Sequence, residues 1–300
     1  MSNILVLGNG FDLDLGLKTR YSDFAGSDEW KKYSSKEGNL FKYLDVKKEK
    51  ERWFDLESEL FNYANPKVDR IRTLDADKLF FNKLHEDLNI YLKKEQQKEI
   101  NVNSYAAKLL KVVIQNASFK NIYSFNYTDL SIFAGQLGLE FKSRCNYIHG
   151  KLSDNSLILG VNENKLHPKY DFLRKTMSPY YRSHNLFEDL YAADEVIFFG
   201  LSFGDIDYTY FNEFFRSQSS GGLLKGKKKN ITIITWDEES RSDILLQLRK
   251  MDVDIQKLYG QSNFQLIRTS CKEDKGKFEE LCDRLKRQLS DNEIISRLIG

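Results

Sequence analysis

The chain has 300 residues, 41% of them hydrophobic and 13% aromatic, with only 3 prolines and 17 glycines. That composition supports a sizeable core and excludes a disordered, collagenous or low-complexity protein. Its 46 Lys and Arg against 44 Asp and Glu leave a net charge of +2, so no global field draws it to a polyanion and nothing signals nucleic-acid coating. Apolar runs such as Val196–Leu201 fall far short of the roughly 20 residues a bilayer span needs. The N-terminus lacks a charged region and a cleavage site, so a cytoplasmic protein without a membrane partner is expected. Cys145, Cys271 and Cys282 form no CxxC pair, which points to neither a disulfide framework nor a zinc site.

In chain order, Asn3–Gly8 (NILVLG) is a short apolar run of the kind buried on both faces of a parallel sheet. Similar runs follow at Asn121–Phe125, Asn146–Ile148, Ser156–Val161, Glu195–Gly200, Asn230–Trp236 and Asn263–Ile267. Most are separated by helical patterning, which predicts an α/β fold with a doubly wound, mainly parallel sheet. Between about residues 21 and 115 the apolar residues keep helical spacing, as in Phe80, Leu84, Leu88 and Leu92. The spacing predicts a helical insertion after the first strand, packing over the cleft. Residues 1–20 and 116–300 then form a nucleotide-binding α/β domain. Ser219–Lys229 (SSGGLLKGKKK) reads as a loop, and Phe278, Leu281, Leu285 and Leu289 as a closing amphipathic helix.

Four motifs follow strands, where open α/β sheets bind ligands. Gly8-Asn9-Gly10-Phe11-Asp12 precedes a helix predicted over Asp12–Leu17 and suits a phosphate, although Leu13 stands where a complete GxGxxG needs glycine. Ser124-Phe125-Asn126-Tyr127-Thr128-Asp129 places Asn126 at the edge of the sheet as ligand contact or helix cap. Tyr147-Ile148-His149-Gly150-Lys151 offers a histidine positioned as a base. The other histidines, His85, His167 and His184, read as structural. In Gly200-Leu201-Ser202-Phe203-Gly204-Asp205-Ile206-Asp207, Ser202 and the glycine backbones suit a ribose or phosphate, and one of Asp205 and Asp207 caps the next helix. Within Trp53-Phe54-Asp55-Leu56-Glu57-Ser58-Glu59-Leu60, Glu57 falls on the apolar stripe. A carboxylate there either snorkels at an edge or faces the cleft and supports it.

These motifs, LVLGNGFDLDLGLKTRYSDF, WFDLESEL, YSFNYTD, YIHGK and GLSFGDIDYTYF in that order, resemble the bacterial AbiH family, named for abortive infection of phage-infected cells. Their order also resembles, more remotely, the sirtuin-like fold, whose defence members cleave NAD. The resemblance implies that Gly8 and Gly10 approach the pyrophosphate, Asn126 and His149 flank the nicotinamide ribose, and Gly200 and Ser202 contact the adenosine side. Asn9, Phe11, Ser124 and Asp205 complete the implied nucleotide contacts. Asn9 and Phe11-Asp12 depart from the small residues of a sirtuin's first turn, and the small zinc module of protein deacetylases is missing, so peptide deacylation is not implied.

The reading is an antiphage NAD glycohydrolase. His149 acts as base, Asn126 orients the water and Asp12 stabilises the ribosyl cation, with NAD as substrate or ligand and no metal. A non-catalytic nucleotide sensor is the alternative, and a metal-dependent nuclease using Asp12, Asp205 and Asp207 a third. A homo-oligomer, a second defence protein and a phage-derived trigger are the partners such a role admits.

Overall fold

The computed structural model describes residues 2–33, 38–50, 55–65, 74–116, 118–119, 121–162, 166–204, 207–220 and 228–299. Among these residues six strands, β1 (Asn3–Leu7), β2 (Asn121–Ser124), β3 (Arg144–Tyr147), β4 (Glu195–Phe199), β5 (Asn230–Thr235) and β6 (Asn263–Arg268), form one sheet of order β3-β2-β1-β4-β5-β6. Every neighbouring pair is parallel. This is the strand order of doubly wound dinucleotide-binding sheets, with its switch point between β1 and β4.

The helices are α1 (Asn9–Asp14), α2 (Tyr21–Ala25), α3 (Asp28–Lys31), α4 (Asn39–Lys50), α5 (Leu56–Tyr63), α6 (Leu74–Gln96), α7 (Tyr105–Gln115), α8 (Leu130–Gln136), α9 (Leu186–Ala192), α10 (Tyr208–Ser219), α11 (Glu238–Lys250), α12 (Ile255–Gln261) and α13 (Lys275–Ile299). All five residues of β1 are buried. Successive side chains of a strand point to opposite faces, so Ile4 and Val6 join the core under α9–α12, whereas Leu5 and Leu7 join the core under α1, α7, α8 and α13. Phe278, Leu281 and Leu285 anchor α13 in that second core.

A third core belongs to α2–α6, including the stripe Phe80, Leu84, Leu88 and Leu92, and it also takes in Leu152, Leu157, Leu159, Val161, Leu166, Tyr170 and Leu173. The described part of 21–115 is mostly helical, but α7 packs on the sheet and the stretch 152–173 packs on the helices.

Two sequence expectations need correction. Ser156–Val161 is not a strand of the sheet: Val161 forms one isolated bridge with Arg174, and the Ile158 amide bonds to the His149 carbonyl at 2.8 Å. Its leucines and Val161 are buried against helices, and burial there leaves the same apolar signature as burial in a sheet. The first helix starts at Asn9 rather than Asp12, so Asp12 lies inside it. The loop expected at 219–229 lies mostly outside the described residues, and so do Trp53, Phe54 and Asp205.

Candidate active site at the carboxyl edge of the sheet

The strand registers set Leu7 beside Ser124 and Phe199, and Ser124 beside Tyr147. Gly8, Asn126, His149 and Gly200 therefore emerge within two residues of one line, at the carboxyl edge. The sheet thus brings together four motifs that the chain keeps up to nearly 200 residues apart.

At the switch point the turns after β1 and β4 touch through their backbones. The Gly8 amide donates to Phe199 O and the Gly10 amide to Gly200 O, each at 2.9 Å. A Cβ on Gly10 would lie 2.6 Å from Gly200 Cα, and one on Gly200, whose φ is +70°, would lie 2.4 Å from Gly10 Cα. These glycines serve close packing of two turns, and the two amides expected to face a phosphate are bonded to carbonyls. Phe11 is fully buried, its ring edge on Phe199. Ser124 is buried too, exchanging hydrogen bonds with the Asn126 backbone. Asn9 and Ser202 are exposed. Next to Ser202, Phe203 holds a left-handed φ of 54°, costing about 1–2 kcal/mol. Complete burial of its ring against Phe198, Phe211 and Phe215, worth about 1.5–3 kcal/mol, offsets that strain.

Asn126 joins the first two turns. Its amide nitrogen donates to Gly8 O at 3.0 Å and to Asp12 Oδ1 at 2.8 Å, while the Thr128 hydroxyl donates to Asp12 Oδ2 at 2.8 Å. Burial pushes the Asp12 carboxyl up to about 7, against these two hydrogen bonds. With both amide protons engaged, Asn126 positions Asp12 and the first turn. Asp129 caps α8 through the Ser131 amide.

His149 sits beyond β3 in a cluster assembled from distant stretches of chain. Gly150, at φ +76°, turns the backbone where a Cβ would meet Ser156 O at 1.8 Å. Phe125 presents its ring edge to the imidazole at 5.4 Å between centroids, with Tyr127 at 6.3 Å and Tyr210 at 6.5 Å. Lys175 Nζ lies 3.4 Å from both ring nitrogens and donates to Glu57 Oε2 at 2.7 Å. Glu57 Oε1 accepts from the Gly160 amide at 3.4 Å. Glu57 is 5% exposed, His149 6% and Lys175 1%.

The electrostatics follow from this burial. Burial first and the ammonium second hold the His149 pKa well below 6.5, so the ring is neutral. Burial pushes Glu57 up to about 7 although Lys175 opposes it, and Asp207 up to about 6. Tyr21 donates to the Tyr127 hydroxyl at 3.2 Å, which donates to Ile158 O at 3.4 Å, and burial beside Glu57 keeps both phenols protonated. Asp207 occupies the N-cap position of α10 without a side-chain capping bond, and its carboxyl group feels Lys175 instead; Asp205, the other candidate for that cap, lies outside the described residues. Asp55, the real cap of α5, feels the same ammonium.

Sequence reasoning reached His149 and Glu57 but missed Lys175, Tyr127, Tyr21 and Tyr210. A lysine in Arg174-Lys175-Thr176-Met177 carries no local sign of burial. Of the other histidines, His85 bonds to Leu157 O at 2.8 Å and His167 accepts from the Lys169 amide at 3.2 Å. Among the described residues no three His, Cys, Asp or Glu side chains gather as a metal would require, and no helix is long and apolar enough to cross a membrane.

Fold and site together define a doubly wound, Rossmann-like parallel α/β protein with an ionisable cluster at the carboxyl edge of its sheet. The chain belongs to the AbiH family: residues 4–221 match the model described as bacteriophage abortive infection AbiH. Membership supports a role in abortive infection, a defence against phage. No curated protein matches the chain.

Proposed function

We propose that the protein serves this defence by hydrolysing NAD to nicotinamide and ADP-ribose at the carboxyl edge of its sheet. The observation carrying the reading is the buried cluster of Glu57, Lys175 and neutral His149 at the carboxyl edge of a sheet ordered like dinucleotide-binding sheets. Nicotinamide is cationic in NAD and leaves neutral, and the ribose becomes positive as the bond breaks. A site for this reaction gains from negative potential in a dry environment. Glu57, Asp55 and Asp207 all sense the Lys175 ammonium, so among the described residues three carboxyl groups share this cation, and that balance suits a positive transition state.

His149, held neutral, has an uncharged ring nitrogen that can accept a hydrogen bond from a ribose hydroxyl. Asp12, kept in place by Asn126 and Thr128, adds a carboxyl group near the first turn, and exposed Ser202 and Asn9 meet the rest of the nucleotide. The near-complete burial of His149 and Lys175 favours a second reading, a nucleotide sensor that signals without turnover.

The test is to incubate purified protein with NAD, with and without EDTA, and resolve the products chromatographically. Free nicotinamide and ADP-ribose at equal rates in both samples supports hydrolysis. Binding without products supports the sensor, and products that need the metal point to a nuclease or nucleotide hydrolase.

A further inference from the structure

We infer that Glu57 is the carboxylate that takes the proton of the attacking water and that Lys175 is its positioning residue, the two working with His149 as one unit. The inference rests on the NAD-hydrolysis reading and assigns to that site a proton acceptor and the group that controls it. Its basis is geometry. Glu57 comes from the first turn of α5, Lys175 from the 3-10 turn Lys175–Met177, and His149 from the end of β3. The Lys175 backbone is fixed by its amide, which donates to Val161 O at 3.0 Å, and the Val161 amide in turn donates to Leu173 O at 2.8 Å. Gly160 permits this approach, since a Cβ there would meet Leu173 O at 2.3 Å.

A buried ion pair is a poor device for stability alone. Desolvating both charges consumes most of what their attraction returns, and apolar residues of similar volume often serve the fold equally well. This pair stands at the ligand-binding edge of the sheet and is shared with an imidazole, which a purely structural pair does not need. A general base also works best with a pKa near the operating pH. Burial raises Glu57 towards neutrality, Asp55 and Asp207 push it the same way, and Lys175 restrains the rise. Tyr21, Tyr127, Tyr210 and neutral His149 also face this carboxylate. Without Lys175, Glu57 would hold its proton at neutral pH and lose the capacity to accept another.

The step balances without a further reactant. The water oxygen forms its bond to ribose C1′ as the C1′–N bond breaks, and that electron pair returns to the nicotinamide nitrogen. One water proton passes to Glu57 and from there to solvent.

The experiment compares NAD turnover against pH for the wild-type chain, Glu57→Gln, Lys175→Met, Lys175→Arg and the double variant Glu57→Gln/Lys175→Met, with thermal melting of each. Glu57→Gln should lower kcat by roughly 100-fold or more with KM changed by no more than about threefold. Lys175→Met should move the acid limb of the kcat/KM profile upward by about one pH unit or more, with activity returning at higher pH, and Lys175→Arg should restore the position of that limb in part. If Lys175→Met does not fold, the double variant, which leaves neither member of the Glu57–Lys175 pair buried without the other, decides. It should melt near the wild type yet turn over as poorly as Glu57→Gln. A folded Lys175→Met with an unmoved pH profile, or a double variant with wild-type turnover, overturns the inference while leaving NAD hydrolysis standing. A wild-type chain that does not cleave NAD overturns both.

Discussion

Gly10 and Gly200 meet back to back: the Gly10 amide donates to the Gly200 carbonyl at 2.9 Å, and a Cβ on either residue would lie within 2.6 Å of the other's Cα. The turn after β1 and the turn after β4 are thereby fixed to each other across the switch point of the sheet. Substitution at either glycine is accordingly a test of the fold before it is a test of ligand binding.

Gly200→Ala combines this collision with strain at φ +70° and should cost about 3 kcal/mol or more. Gly10→Ala should cost about 2 kcal/mol by crowding alone, and Gly10→Val more. Gly135, inside α8 with an ordinary φ and no atom within 4 Å of the position a methyl would take, is the control. Gly135→Ala should stabilise by about 0.5–1 kcal/mol. Urea unfolding of the four variants checks the ranking.

Asn126→Ala removes both donors that the side chain supplies, one to Gly8 O and one to Asp12. It should destabilise by about 2 kcal/mol, in the range for hydrogen bonds to a charged or buried acceptor. Asn126→Asp should be worse than Asn126→Ala at pH 8, because a second carboxylate would stand beside Asp12. Denaturation curves at pH 8 distinguish the two, and any loss of turnover in these variants is read against them.

Asp12 gives the pH dependence a sign. Its folded pKa is raised from 3.8 to about 7, so between those values the folded chain binds more of this proton than the unfolded chain does. The contribution of this group is most favourable below about 4, declines as pH rises towards 7 and stays lost above it. Asp12→Asn removes the decline, so its stability relative to the wild type should improve steadily from pH 4 to pH 7. Parallel melting curves of the two proteins across that range would show the expectation to be wrong.

The strands β1, β2 and β4 and the turns that follow them are legible in the sequence because each is a local run of mostly buried apolar residues ending in Gly or Asn. That locality also explains the misreading of Ser156–Val161, whose leucines and Val161 are buried as strand residues would be but against the helical core. Glu57 is legible as an anomaly on an apolar stripe. Lys175 is not, because its burial depends on Glu57, 118 positions away, and no local pattern carries a pairing of that range. The internal hydrogen bonding of the Gly8 and Gly10 amides is equally non-local, since it depends on where β4 ends.

If catalysis by the His149 cluster carries the defence, NAD depletion and phage resistance must appear and disappear together, and both can be followed in infected cells making wild-type or His149→Ala protein at equal, folded levels. On the proposed reading neutral His149 acts in the reaction and not as an ion-pair partner, so His149→Ala should keep most nucleotide affinity and lose turnover. NAD depletion and resistance are expected with the wild type, and neither with His149→Ala. Full resistance with His149→Ala would show that the defence does not depend on this catalysis.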